Sequence, residues 1–290
     1  MTRFKLLMVA FFWGGTFVAG RAVGMDIAPP VIALARFVVA TAVLALLAQA
    51  LEGGLPRLDR RMLLLTVLLG FLGVFAYNSF FFAAIRYIPA SRAAILVSAG
   101  PAVIALTSAL ALGHNLNRWR WCGIGIAFLG ALVVITHGDL PQIVNGALGR
   151  GECLMLAAVA SWALYTVASQ QILGRMSPIA ATTYAALWGT IMLALYAIPS
   201  VSDLHLRTFT VQNILSILYI AIPGTAIAYW WYFDGVKELG AARAAVFNNF
   251  VPVSGVVLSA LLLHERLQLS TVLGGLMVLA GVVLTNRRSV

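Results

Sequence analysis

Charge is scarce in this chain: of its 290 residues only 10% are charged, while 62% are hydrophobic. A soluble domain has about a quarter of its residues charged, so the composition reads as an integral membrane protein. Acidic groups are rarer still. The nine Asp and Glu residues, from Asp26 to Glu265, all fall between apolar runs or at their ends. His114, His137, His205 and His264 do the same. A proton relay or a carboxylate cation site needs such a group deep in a span. The pattern therefore argues against a cation-selective multidrug pump built on a buried acid, and against intramembrane metal hydrolysis. Cysteine is reduced to Cys122 and Cys153, which offer neither metal-ligand spacing nor a disulfide framework and read as small apolar fillers. Ser98-Ala99-Gly100 and Ser254-Gly255 have no histidine or lysine at comparable depth, so they read as packing positions and not as nucleophiles. No cofactor and no metal site is expected.

Positive charge is present, at a net +10. The basic residues stand singly or in pairs, whereas a nucleic-acid binder clusters them on one soluble face. Positive loops on the cytoplasmic side of a membrane explain them.

A bilayer core about 30 Å thick needs about 20 apolar residues of helix. Ten segments meet that description, at 6–23, 29–50, 62–87, 90–112, 118–136, 152–173, 178–199, 211–235, 241–263 and 268–286. The first follows a basic start, but it continues to Ala19 without a small-residue cleavage site, so it is retained as a span and not a signal peptide.

The first five segments match the second five. ASRAAILVSAGP, Ala90 to Pro101, returns as AARAAVFNNFVP, Ala241 to Pro252. Trp13 falls on Trp162, Arg92 on Arg243, His114 on His264 and Gly125 on Gly275, at offsets of 149 to 151. The expected organisation is a first repeat at 1–137, a linker at 138–150 and a second repeat at 151–290. Because each unit crosses an odd number of times, the second is inverted. Inverted repeats characterise secondary transporters, with a site between the halves near the midplane. With the N-terminus inside, twelve basic residues lie on the cytoplasmic side and six outside, which favours both termini in the cytoplasm.

Breaks fall near the segment centres. Pro101 and Pro252 interrupt segments four and nine and should free the carbonyls of Val97 and Asn248. Pro223-Gly224 breaks segment eight, and Gly70 with Gly73 loosens segment three. Pro101, Pro223 and Pro252 are the expected hinges. Arg36 is the one charge well inside a span, about seven residues into segment two. The residue alone favours a structural arginine, bonded to helix ends or snorkelling, over an anchor for an anionic group. Trp162, Tyr165, Tyr77 and Trp188 lie deep enough to face a cavity, while Trp119 and Trp121 suit the membrane interface. Gly123/Ala127/Ala131 and Gly274/Gly275/Gly281 read as close helix contacts or a dimer face.

Ala35-Arg36-Phe37, the PASRAA of Pro89 to Ala94, and the LHERL of Leu263 to Leu267 before a glycine-rich last segment resemble the EamA-type drug/metabolite transporter superfamily. The resemblance spans the whole chain and is most like the YddG group of amino-acid exporters. It implies an all-α basket of ten transmembrane helices around a central cavity, alternating access by rocking halves, and export of neutral metabolites. Carried onto this sequence, the cavity helices contribute Trp13, Tyr77, Asn78, Ser98, Trp162, Tyr165, Tyr229, Asn248 and Asn249. One departure is that Glu265 follows His264 where Asn115 follows His114; Glu265 is expected to cap or pin the start of segment ten.

The expected function is export of small neutral or zwitterionic metabolites, amino acids including aromatic ones, across the inner membrane. Asn248, Asn249 and freed carbonyls would hold the ammonium and carboxylate, with Trp162, Tyr165 and Tyr77 against the side chain. A broad exporter of lipophilic drugs is the alternative within transport. An intramembrane enzyme or lipid-handling protein is the alternative outside it. The expected partners are a small-molecule substrate and membrane lipid, with the chain a monomer or homodimer.

Overall fold

The computed structural model describes residues 2–25, 27–100, 102–104, 106–107, 118–136, 149–173, 175–201, 209–239, 247–265 and 267–285. Every regular element among them is helical. In chain order these are α1 (Thr2–Gly24), α2 (Pro29–Glu52), α3 (Arg60–Leu69), α4 (Tyr77–Ala84), α5 (Ala90–Ser98) and α6 (Arg118–Ile135). They continue with α7 (Arg150–Leu173), α8 (Pro178–Val201), α9 (Val211–Ala221), α10 (Ala228–Leu239), α11 (Phe250–Leu262) and α12 (Leu269–Thr285). A π-helical stretch, Gly70–Ala76, joins α3 to α4, and a second, Ile222–Ile227, joins α9 to α10. Among the described residues seven continuous helices are long and apolar enough to cross a membrane; Phe250–Leu262 and Leu269–Thr285 are apolar but shorter.

Local chemistry sets the ends. Pro29 and Pro30 occupy the first turn of α2, where their missing N–H groups cost nothing. At its other end Gly53 takes φ 73°, and the N–H groups of Gly53 and Gly54 close onto the Gln49 and Ala48 carbonyls. The Asp59 carboxylate accepts from Met62 N at 2.7 Å to start α3, and Thr210 Oγ1 accepts from Asn213 N at 3.2 Å to start α9.

The helix α1 packs on α11, α9 and α10, while α7 packs on α4, α3 and α5. On another side α2 lies along α8. Large apolar side chains such as Leu46, Leu64, Leu195 and Leu273 point outward, as lipid contact requires.

The small-residue stripes of α6 and α12 meet each other within the chain. A Cβ on Gly130 would stand 2.6 Å from the Gly274 carbonyl oxygen, and one on Gly281 2.5 Å from the Gly123 carbonyl oxygen. The stripes are thus used in an intramolecular contact, the first of the two uses expected of them. Gly275 faces Ile95 of α5 instead.

Two expectations change. Glu265 does not serve the start of α12. Its carboxylate accepts from Ala90 N at 2.8 Å, Ser91 N at 3.0 Å and Ser91 Oγ at 2.7 Å, so it caps α5. The first N–H groups of a helix lack internal partners and carry the positive end of its dipole, which is why an acid from elsewhere settles there. Beside it Arg92 pairs with Glu152 at 3.0 Å and donates to the Ile135 carbonyl. The opposite end of α1 is tied by Lys5 to Asp234 of α10 at 2.9 Å.

The second change concerns the break before Pro101. Backbone N–H groups at the end of α5 fold back onto the Leu96 and Val97 carbonyls, so the Val97 carbonyl is used in a tightened turn and is not left free. The second copy tightens at the equivalent place, where Phe247–Asn249 forms a 3₁₀ turn directly before α11. Pro101, Arg243, His114 and Asn115 lie outside the described residues, as does the side chain of Asn249.

Candidate functional site

Between α1, α4, α5, α7, α10 and α11 lies a partly open cavity of about 140 Å³. Six aromatic side chains stand in its walls. Tyr77 stacks on Phe81 with centroids 5.8 Å apart and meets Trp162 at 5.3 Å, while Phe17 stands edge-on to Phe81 at 5.4 Å. Opposite, Trp13 stands edge-on to Tyr229 at 6.1 Å and tilts against Tyr232 at 5.4 Å. Thr16, Ser98 and Asn248 add polar groups to the same lining, and Pro252 completes the wall at the head of α11.

Arg36 also faces this cavity, from a buried position on α2. It neither snorkels nor bonds helix ends. Its Nε donates to Thr225 Oγ1 at 2.9 Å and its Nη1 to Asn78 Oδ1 at 2.8 Å. The guanidinium carbon lies 5.2 Å from the centroid of Phe37 and 6.0 Å from that of Phe82, within cation–π range.

Both acceptors are fixed by the π-helical stretches. Widening a helix to an i→i+5 pattern displaces the residues that follow. Thr225 lies inside the second stretch and donates its own hydroxyl proton to Ile220 O, five residues back, at 2.8 Å. Its oxygen is left to accept from Arg36. Asn78 follows the first stretch and spends an amide N–H on Val74 O at 2.7 Å, which turns Oδ1 toward Arg36. The sequence placed breaks at both points. Their consequence is a cation held between α2, α4 and the Ile222–Ile227 stretch.

The cavity brings together Trp13, Tyr77, Ser98, Trp162, Tyr229 and Asn248 from the expected set. Three expected residues stand elsewhere. Asn78 is sealed behind Arg36 and touches the cavity only through it. Tyr165 sits behind Trp162, 5.2 Å between centroids, with its ring over Gly73, where a Cβ would come within 2.4 Å of it. Trp188 is remote from the cavity and donates from Nε1 to Thr66 Oγ1 at 3.2 Å. Ser98 reaches the lining, but its hydroxyl donates to Ile95 O of its own helix at 2.6 Å. Pro223 sits in the π-helical stretch, not in the lining. The residues that sequence reasoning missed are Thr225 and Thr16. A polar side chain two places after Pro223 was the available signal for the first. Thr16 gave none, because a threonine bonded to its own helix, here to Trp13 O at 2.6 Å, is common in apolar spans.

Membrane-length apolar helices around a central cavity lined by aromatic rings are an arrangement that solute carriers use. The family description "EamA-like transporter family" matches residues 3–136 and again residues 149–287, and the chain belongs to that family of transporters. An uncharacterized transporter of Archaeoglobus fulgidus is 31% identical over 98% of this chain and 98% of its own length. A probable terminal-alkyne amino-acid exporter of Streptantibioticus cattleyicolor is 28% identical, covering 98% of this chain and 93% of its own. A probable amino-acid metabolite efflux pump of Escherichia coli K12 is 28% identical, covering 95% and 91%.

Proposed function

We propose that this transporter exports small zwitterionic metabolites, amino acids with aromatic or large apolar side chains foremost, by alternating access across the inner membrane. The observation that carries this reading is a cavity whose rings (Trp13, Tyr77, Trp162) suit an apolar side chain while Arg36 and Asn248 supply polar contacts at the same depth. The relatives named as amino-acid exporters support it. In this reading Asn248 meets the substrate's polar head, and Tyr77 and Trp162 pack its side chain.

The halves would be inverted five-helix repeats, at 1–137 and 151–290. In support, the family description matches twice, and the π-helical stretches start at Gly70 and Ile222, near the offset of the sequence repeat. The packing of α1 on α9 and α10 also mirrors that of α7 on α3 and α4. Among the described residues no acid lines the cavity. The proposed mode is facilitated or loosely proton-linked export rather than antiport through a titrating carboxylate.

A second reading, export of lipophilic drugs, is favoured by the excess of rings over polar groups in the walls. Arg36 limits it to uncharged or anionic compounds, since a cation would be repelled at that depth. The test is uptake into liposomes containing the purified chain, using a panel of amino acids and neutral drugs. Amino-acid movement supports the first reading; drugs moving while amino acids neither move nor compete would reject it.

A further inference from the structure

Arg36 is a cation with an incomplete set of partners. It is 6% exposed and belongs to the cavity lining. Its guanidinium has five N–H donors. One on Nε and one on Nη1 are taken by Thr225 and Asn78, both neutral acceptors. The Nη2 group donates to no acceptor among the described residues, and it is not among the polar atoms sealed from the cavity without a partner. No described carboxylate pairs with Arg36; the described ion pairs are Lys5–Asp234 and Arg92–Glu152.

A buried charge without a counterion is strongly unfavourable unless a partner arrives. Two neutral hydrogen bonds and two ring faces orient the guanidinium and offset part of that cost. The charge itself is left for a ligand. Held by Nε and Nη1, the plane is fixed on a residue of the cavity lining, and Nη2 can bind an oxyanion by charge-assisted hydrogen bonds. The aromatic wall of Tyr77 and Trp162 lines the same cavity, so a ligand with an apolar body and an anionic end satisfies both.

We infer that Arg36 is the carboxylate-binding residue of the transport site, so that the substrate must carry an anionic group. This deepens the amino-acid reading above, on which it rests for the choice of substrate, and it moves the carboxylate from Asn248 to Arg36.

The test is ligand binding to the purified full-length chain, read by tryptophan fluorescence, since Trp13 and Trp162 line the cavity. The probes are phenylalanine, its decarboxylated amine phenethylamine, and its deaminated acid 3-phenylpropionate. Loss of a charge-assisted bond at this depth corresponds to about 10- to 100-fold in affinity. Phenylalanine and phenylpropionate should bind, with phenethylamine weaker by that factor. Arg36→Gln should abolish the preference, and Arg36→Lys should keep part of it. The comparison among ligands on the unaltered chain holds even if both variants fold poorly. Phenethylamine binding as well as phenylalanine overturns the assignment while leaving amino acids as substrates. Phenylpropionate binding without phenylalanine supports the anchor and removes the amino-acid reading. If none of the three binds, both fall.

Discussion

Thr225 holds two bonds at once, donating to Ile220 O and accepting from Arg36 Nε, in a fully buried position. Thr225→Val keeps the shape and removes both. Leaving a buried donor without its acceptor costs about 1–3 kcal/mol, and more when the donor is charged. The variant should therefore unfold at lower temperature in detergent, and an unchanged midpoint would contradict the bonding described. The cavity residues differ among themselves in a way only their partners reveal. Ser98 is occupied with its own helix, so Ser98→Ala should leave transport within about twofold, close to the few tenths of a kcal/mol expected when no ligand bond is lost. Trp162→Ala removes ring contact with Tyr77 and much of the wall, and should weaken competition by aromatic substrates about tenfold or more. Competition assays on the two variants side by side check this ranking. Residue depth was legible in the sequence: Trp13, Tyr77, Trp162 and Asn248 do meet. Direction was not. Tyr165 and Trp188 lie at suitable depth yet turn toward Gly73 and Thr66, because the face a helical residue presents depends on how its helix is rotated by its neighbours.

At the scale of elements, glycine and proline carried much of the readable information. Gly70, Gly73, Pro223 and Gly224 mark the places where α-helix gives way to π-helix, and the sequence located those breaks without their form. The form matters, since the wider turns are what aim Asn78 and Thr225 at Arg36. The tight turns at Ser98 and at Phe247–Asn249 were read as kinks with free carbonyls. A shift to i→i+3 bonding satisfies such a carbonyl with no ligand, an outcome that a proline in a sequence does not distinguish. Glu265 was equally hidden, because its partners Ala90 and Ser91 lie far away in the chain. The contact of α6 with α12 yields a direct prediction. At Gly130 a side chain would have to displace the backbone of α12, so Gly130→Leu should reduce the yield of monodisperse protein in size-exclusion chromatography. Overpacking of this kind costs about 1–3 kcal/mol or more. The exposed Gly125, with nothing within 4 Å of an added Cβ, is the control that should tolerate Leu.

For the whole molecule, composition identified the solvent and the repeat suggested the plan, because a span in lipid must be apolar along its whole length while a duplicated chain keeps its landmarks. The assignment of sides rests on charge alone. It places Arg118, at the start of α6, in the cytoplasm and Arg150, at the start of α7, outside. Single cysteines at these two exposed positions, in a chain lacking Cys122 and Cys153, test it. An impermeant thiol reagent added to intact cells should label Arg150→Cys, and should label Arg118→Cys only after permeabilisation. The reverse pattern would invert the orientation. That Arg36 turns inward without a described acid beside it was not legible, because this is a property of packing and not of order along the chain. The most direct test of the central claim is counterflow: proteoliposomes loaded with unlabelled phenylalanine, followed for entry of labelled phenylalanine. The account predicts accumulation that exceeds empty liposomes and is strongly reduced by Trp162→Ala in equally well-folded protein. Accumulation no greater than in empty liposomes, or accumulation unaffected by that substitution, would contradict it.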